Sequence, residues 1–263
     1  MEKIKVVFSP TEEKPYIVIW KPRGLASAPL CQDDRDNALY QAGQLFPEVF
    51  KVSGRKNIEY GLLHRLDTAT DGLLVIATNQ ETYDFLQNEQ KEGRFIKYYS
   101  AICEINSNNG SSEKGFPPCH NDLSNIKAGD KYSFSSFFRG FGKGSTEVRP
   151  VTEESGRAAL KKLGKQKVYN TEVIIKEISE DKKKCRVECK IVAGYRHQVR
   201  CHLAWGGLPI VNDKVYNFDF AEKLRENDFD KKNAENMRFS ATKLEFYCPR
   251  GDLNSYEIAF TWT

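Results

Sequence analysis

The apolar residues of this 263-residue chain come in short runs of strand length, each closed by a turn. Residues 16–20 run into Lys21-Pro22-Arg23-Gly24, where proline fixes φ and glycine permits a sharp bend. Residues 73–77 follow a polar turn, and 95–105 read as a long strand. Further strands are expected at 169–178, 185–192, 238–246 and 255–260, the last after the turn at 248–252. Two segments read as helices. One starts after the N-cap candidate Asn79 and stops at Gly93; the other covers 196–205 and ends before Gly206-Gly207. Residues 106–144, rich in Gly, Ser, Asn and Pro, read as an irregular insertion, and the densely charged 217–236 as a surface loop or exposed helix. Strands and helices intermingle without a βαβ rhythm or an internal repeat. The expected class is α+β, in a single domain over 1–263.

Composition narrows the function classes. No apolar run approaches the ~18 residues that span a bilayer, and residues 1–10 lack a signal-peptide core, so no membrane association and a cytoplasmic address are expected. Sixteen Phe and twelve Tyr supply ample surface for a core. The seven cysteines are odd in number; Cys185 and Cys189 fall on one face of a period-two pattern and read as buried strand residues, not zinc ligands. Reduced thiols follow. His197 and His202 stand five apart, off the spacing of a zincin helix, and no Gly-x-Ser-x-Gly elbow occurs. Net charge is +4, too small to announce a nucleic-acid binder. The acid-free run Arg157, Lys161, Lys162, Lys165, Lys167 reads as a solvated face unless other residues point to RNA or DNA. Likewise Tyr132, Phe134, Phe137, Phe138 and Phe141 could stack on bases, but such a cluster more often packs its own segment.

Asp67 sits beside Arg65 in a turn bounded by Gly72. Alone it would read as a turn residue. A second pattern, Gly194-Tyr195-Arg196-His197-Gln198-Val199-Arg200-Cys201-His202 with Gly207-Leu208-Pro209-Ile210-Val211-Asn212-Asp213 behind it, changes that. On a helix His197, Arg200 and Ala204 share a face, and an arginine facing a cavity needs an anion, for which Asp67 is a candidate.

These residues resemble the RluA-type RNA pseudouridine synthases. His64-Arg65-Leu66-Asp67, continuing through Thr70 and Gly72-Leu73-Leu74, is similar to the signature around that family's catalytic aspartate. Lys97-x-Tyr99-x-Ala101 resembles its second motif, and His197-Gln198-Val199-Arg200-x-His202 with Asp213 and Tyr216 its third. Trp20-Lys21-Pro22-x-Gly24 and Phe246-Tyr247-x-Pro249-x-Gly251 also fit, so matches run in order from about residue 16 to 260. There are departures: Asp71 stands where the family usually has Ser, Tyr195-Arg196 replaces Arg-Thr, and 106–144 has no counterpart. No upstream S4-type domain is expected.

The resemblance implies a pseudouridine synthase fold: a mixed, largely antiparallel sheet with flanking helices and a central RNA-binding cleft. It implies isomerisation of specific uridines in rRNA or tRNA, by a monomer that needs no metal or organic cofactor. Asp67 becomes the essential carboxylate, acting at C1′ or removing the C2′ proton; the residues leave these routes open. Arg200 is expected to pair with it, and Tyr99 to stack on the uracil and carry a proton. Arg65 would fill the gap or hold the flipped nucleotide, and His64 and His197 would bind the RNA. Arg157, Lys161, Lys162 and Lys165 would track phosphates. Two rivals are a glycosidase-like hydrolase using Asp67 with Asp71, and a non-catalytic RNA-binding protein on the same fold.

Overall fold

The computed structural model describes residues 2–106, 115–161, 163, 167–226 and 236–261. In chain order the elements are β1 (Lys5–Phe8), β2 (Tyr16–Lys21), α1 (Ala38–Leu45), β3 (Asp71–Ala77), α2 (Gln80–Lys91), β4 (Ile96–Glu104), β5 (Lys131–Phe141), β6 (Glu147–Val151), α3 (Arg157–Leu160), β7 (Tyr169–Ile178), β8 (Lys184–Ile191), α4 (Gln198–Trp205), α5 (Phe218–Glu226), β9 (Phe239–Tyr247) and β10 (Leu253–Glu257). The class is α+β, as expected, and the strands pair mostly antiparallel. The described residues form two compact units, Met1–Tyr99 with Ser240–Thr261, and Ser100–Phe239.

In the first unit the strand order is β1-β2-β3-β9, with β10 on β9. β2 and β3 are antiparallel from Tyr16↔Ala77 to Lys21↔Gly72, whereas β3 meets β9 in parallel at Asp71↔Ser240 and Gly72↔Ala241. Strands buried on both faces need no polar alternation, which is why Leu73-Leu74-Val75-Ile76-Ala77 is apolar throughout. Leu73, Val75 and Ala77 join Tyr16, Val18, Tyr83, Leu86, Phe95, Leu244 and Phe246 in one core. Phe95 and Phe246 stack with centroids 4.9 Å apart. α2 packs on β3; it starts where the Asn79 side chain accepts the Thr82 N–H at 2.9 Å and ends before Gly93, whose φ of 74° permits the exit.

In the second unit β7 pairs with β8 and β5, and β5 passes on to β6. β5 corrects the expectation for 106–144: its eleven residues form a strand inside the segment read as irregular. Phe134, Ser136 and Phe138 point inward with period two, while Ser133 and Ser135 face outward. Serine on the solvent face gave this strand a loop-like composition. Of the same segment, 107–114 lie outside the described residues. The aromatic cluster serves packing: Phe138 stacks on His202 and Tyr195 at 4.8 and 5.0 Å, and Phe134 lies 6.2 Å from Trp205. Phe141 lies against the Arg149 guanidinium, 4.4 Å away, which Phe116, Phe218 and Tyr216 also enclose. Cys185 and Cys189 are buried on β8, as their spacing predicts.

Two ends differ from expectation. α4 begins at Gln198, because His197 adopts a left-handed backbone (φ 57°) and Arg196 stays outside the helix. The last strand runs Leu253–Glu257, displaced toward the turn, where Cys248 N–H meets Asp252 O at 3.0 Å and closes the hairpin.

Candidate active-site loop and its scaffold

The loop bearing Asp67 is a hairpin connection. Leu63 N–H donates to Val75 O at 3.1 Å and Ala77 N–H to Gly61 O at 2.8 Å, so residues 61–63 lie alongside β3. Gly61 is required there: a Cβ would stand 2.0 Å from Ala77 O. The Pro22–Ser27 turn then grips both neighbours of Asp67. Ser27 Oγ donates to Leu66 O (2.8 Å) and accepts Leu66 N–H (2.9 Å), and Gly24 N–H donates to Thr68 O at 2.9 Å. Thr70 N–H closes the loop onto Asp67 O at 3.0 Å. Asp67 itself is half-buried, between buried Leu66 and exposed Thr68. A backbone tied on both sides of a half-buried aspartate makes a preorganised acid.

Around it are charged groups of the same unit. Lys21 is fully buried and donates through Nζ to Pro22 O (2.9 Å) and Leu25 O (2.8 Å). Burial lowers its ammonium to about 8; Asp71 and Asp67 pull it upward and Arg23 pushes it down. Arg65 is exposed, with Nη1 3.3 Å from Glu59 Oε1. His64 departs from its expected RNA contact. Its ring packs edge-on against Phe95 at 5.6 Å, and both ring nitrogens are buried with no hydrogen-bond partner among the described residues. Burial and the neighbouring Lys97 charge hold it well below the usual histidine range, so it is neutral at pH 7 and packs the base of the loop. Tyr99 is 8% exposed on β4, on the same strand face as Lys97, whose ammonium burial lowers to about 8.

In the second unit the third motif is bound internally. Every residue of α4 is buried. Arg200 donates through Nε and Nη2 to the two oxygens of Asp213, both at 2.8 Å, and Asp213 Oδ1 also accepts Val215 N–H and Tyr216 N–H at 2.9 and 3.2 Å. Asp213, fully buried, is an anion for Arg200 that the sequence reading passed over, although its motif contained it. His202 spans two hydroxyls: Nε2 is 2.9 Å from Ser136 Oγ and Nδ1 2.8 Å from Thr171 Oγ1. Burial drops it to about 3, so it is neutral. His197 Nδ1 lies 3.0 Å from the Tyr216 hydroxyl, which accepts Val148 N–H.

Arg157 and Lys161 are exposed, at and just after α3; Lys162 and Lys165 lie outside the described residues. No group of three or more His, Cys, Asp or Glu among the described residues could hold a metal ion. No helix among them is long and apolar enough to cross a membrane.

Residues 15–205 match the family model described as RNA pseudouridylate synthase. Among curated proteins, the tRNA pseudouridine(31) synthase of Saccharomyces cerevisiae is 29% identical over 78% of this chain and 45% of its own length. The ribosomal large subunit pseudouridine synthase D of Borreliella burgdorferi is 28% identical over 78% of this chain and 53% of its own. The chain thus spans about half the length of the curated relatives it matches. Among solved structures, human RNA pseudouridylate synthase domain containing 1 superposes with a TM-score of 0.61 at 18% identity, over 98% of this chain and 84% of that one, a likeness of fold. With the family model covering the Asp67 loop, the Lys97–Tyr99 strand and α4, the chain belongs to the RNA pseudouridylate synthase family.

Proposed function

We propose that this chain converts uridine in an rRNA or tRNA stem-loop to pseudouridine, with Asp67 as the carboxylate that acts on the ribose. The observation that carries the reading is the clamp on Asp67: Ser27 holds Leu66, Gly24 holds Thr68, and the half-buried carboxylate stands between. The reaction breaks N1–C1′ and joins C5 to C1′; the C5 proton is lost and N1 gains one, so nothing is oxidised or added. Such chemistry asks for a fixed acid at the sugar and a ring to hold the detached base. Tyr99 supplies the ring, and its hydroxyl is the candidate acceptor of the C5 proton. Exposed Arg65 meets the extruded nucleotide, and Arg157 and Lys161 the phosphates. The proposed setting is the cytoplasm, with the chain acting as a monomer.

Release of tritium from RNA labelled at uridine C5 tests the reading, with pseudouridine mapped in RNA from cells with and without the protein. Tritium release by the wild type and its loss in Asp67→Asn, with RNA binding retained, are expected. Near-normal turnover of Asp67→Asn would overturn it; liberated uracil would favour the hydrolase.

A further inference from the structure

The second unit holds a pocket of about 380 Å³ that the chemistry above does not use. Phe116, Pro117, Pro118, Pro150, Ala158 and Ala159 make its walls apolar, and its charged lining residues are Arg139 and Glu154. Small ligands sit in cavities of about 300–1,000 Å³, mostly apolar, with a few polar groups that fix orientation. The pocket has that form. Residues 116–118 and Arg139 all come from 106–144, the stretch for which the family resemblance offers no counterpart.

Arg139 of β5 stands directly opposite Arg149 of β6, so two like charges are set side by side across the strands. Their surroundings differ. Arg149 is buried, with Nη2 2.8 Å from Glu147 Oε2, Nη1 donating to Val148 O at 3.1 Å, and the Phe116 ring 5.0 Å away. Arg139 is half-buried, 5.1 Å from the Phe141 ring, and its Nε is shut from water with no acceptor among the described residues. Burial and then the Arg149 charge lower its guanidinium from the ordinary arginine value, and no carboxylate among the described residues opposes them. Glu154 is engaged elsewhere: His120 Nε2 lies 3.1 and 3.2 Å from its two oxygens. A partly desolvated cation in this state is stabilised by an anion from outside the chain.

We propose that this pocket is a nucleotide subsite for the RNA, in which Arg139 takes a phosphate and the attached base enters between the proline walls and α3. RNA is favoured over other anions on two grounds. The chain belongs to the RNA pseudouridylate synthase family, and exposed Arg157 and Lys161 bracket Ala158 and Ala159 in the sequence, which puts two more cations next to the wall that α3 supplies. The subsite rests on the chain acting on RNA, as proposed above, and not on which carboxylate does the chemistry.

Filter binding of radiolabelled unfractionated tRNA and total rRNA to the full chain, over a series of salt concentrations, tests it. Arg139→Gln should bind about tenfold more weakly at low salt. It should also reduce the slope of log affinity against log salt by about one, the signature of one lost phosphate contact. Glu154→Gln removes the carboxylate from the lining and should bind about twofold more tightly. Ala158→Leu combined with Ala159→Leu fills the pocket and keeps every charge, so affinity should drop about fivefold with the slope unmoved. The slope separates a phosphate contact from a merely structural arginine, whose loss weakens binding and leaves the salt dependence alone. An Arg139→Gln protein with wild-type affinity or an unmoved slope, or a filled pocket that binds as well as the open one, would strike out the subsite. Binding is read without turnover, so the two readings fail separately. A wild type that binds RNA and releases no tritium fails the functional reading alone; unchanged binding by Arg139→Gln beside normal tritium release fails the subsite alone.

Discussion

The loop around Asp67 and the helix around Arg200 are each fixed by several hydrogen bonds, which fall on different parts of the chain. In α4 the side chains are buried: Arg200 is closed on Asp213, and His202 spans Ser136 and Thr171. In the loop, hydrogen bonds from Ser27 and Gly24 hold the backbone on either side of the half-buried Asp67. The two stretches are therefore fixed by different means: burial and side-chain hydrogen bonds order α4, whereas main-chain hydrogen bonds set the place of the loop.

Substitutions should separate the two regions. The largest effect is expected in Asp67→Asn, which should lower turnover about 10³-fold or more while the urea midpoint barely moves. Arg200→Ala should lower turnover and, unlike Asp67→Asn, also cost about 3–5 kcal/mol in urea unfolding, because it strands a fully buried Asp213 charge. An Arg200→Ala protein as stable as wild type would erase the contrast. Next comes His202→Ala, at about 3 kcal/mol, since it empties a packed site and leaves the buried Ser136 hydroxyl without its partner.

His202 also gives a pH signature. Its folded value is about 3 against an unfolded 6.5. As pH falls through this interval the unfolded chain takes up a proton that the folded chain refuses, so stability declines from about pH 6.5 downward. His64 acts in the same direction. Denaturation at pH 7 and pH 5 should show that loss in the wild type, and a smaller one in His202→Ala. The smallest effect is kinetic: exposed Cys31 should react with a thiol reagent at once, whereas Cys185, raised to about 12 by burial, should wait for unfolding. Equal rates would contradict the packing of β8.

Much of this was legible in the sequence, for identifiable reasons. α2 announced both its ends, because Asn79 and Gly93 act locally and their chemistry does not depend on distant contacts. β3 was legible as an unbroken apolar run, and β8 through its alternating cysteines. β5 was hidden, since Ser133 and Ser135 face solvent and the two phenylalanines that matter, Phe134 and Phe138, find their partners on α4, some 65 residues further on. Asp213 was passed over for a similar reason. A guanidinium has donors for more than one acid, and only folding shows that Asp213 shares its buried space. Nor could the inward turn of His64 be read, because burial of an imidazole leaves no trace in the order of residues.

Gly72 carries a consequence for how this family member can vary. A Cβ there would stand 2.3 Å from Ala241 O, so the position is pressed against β9 with no slack. Leu66 is fastened to Ser27 on the other side, and only five residues separate the two fixed points. Ordinary surface connections gain or lose a residue at little cost. This one has both ends nailed down, so its length is as much an invariant as the acid it displays, and in-frame additions or deletions between Leu66 and Gly72 should be purged even when they spare every polar side chain.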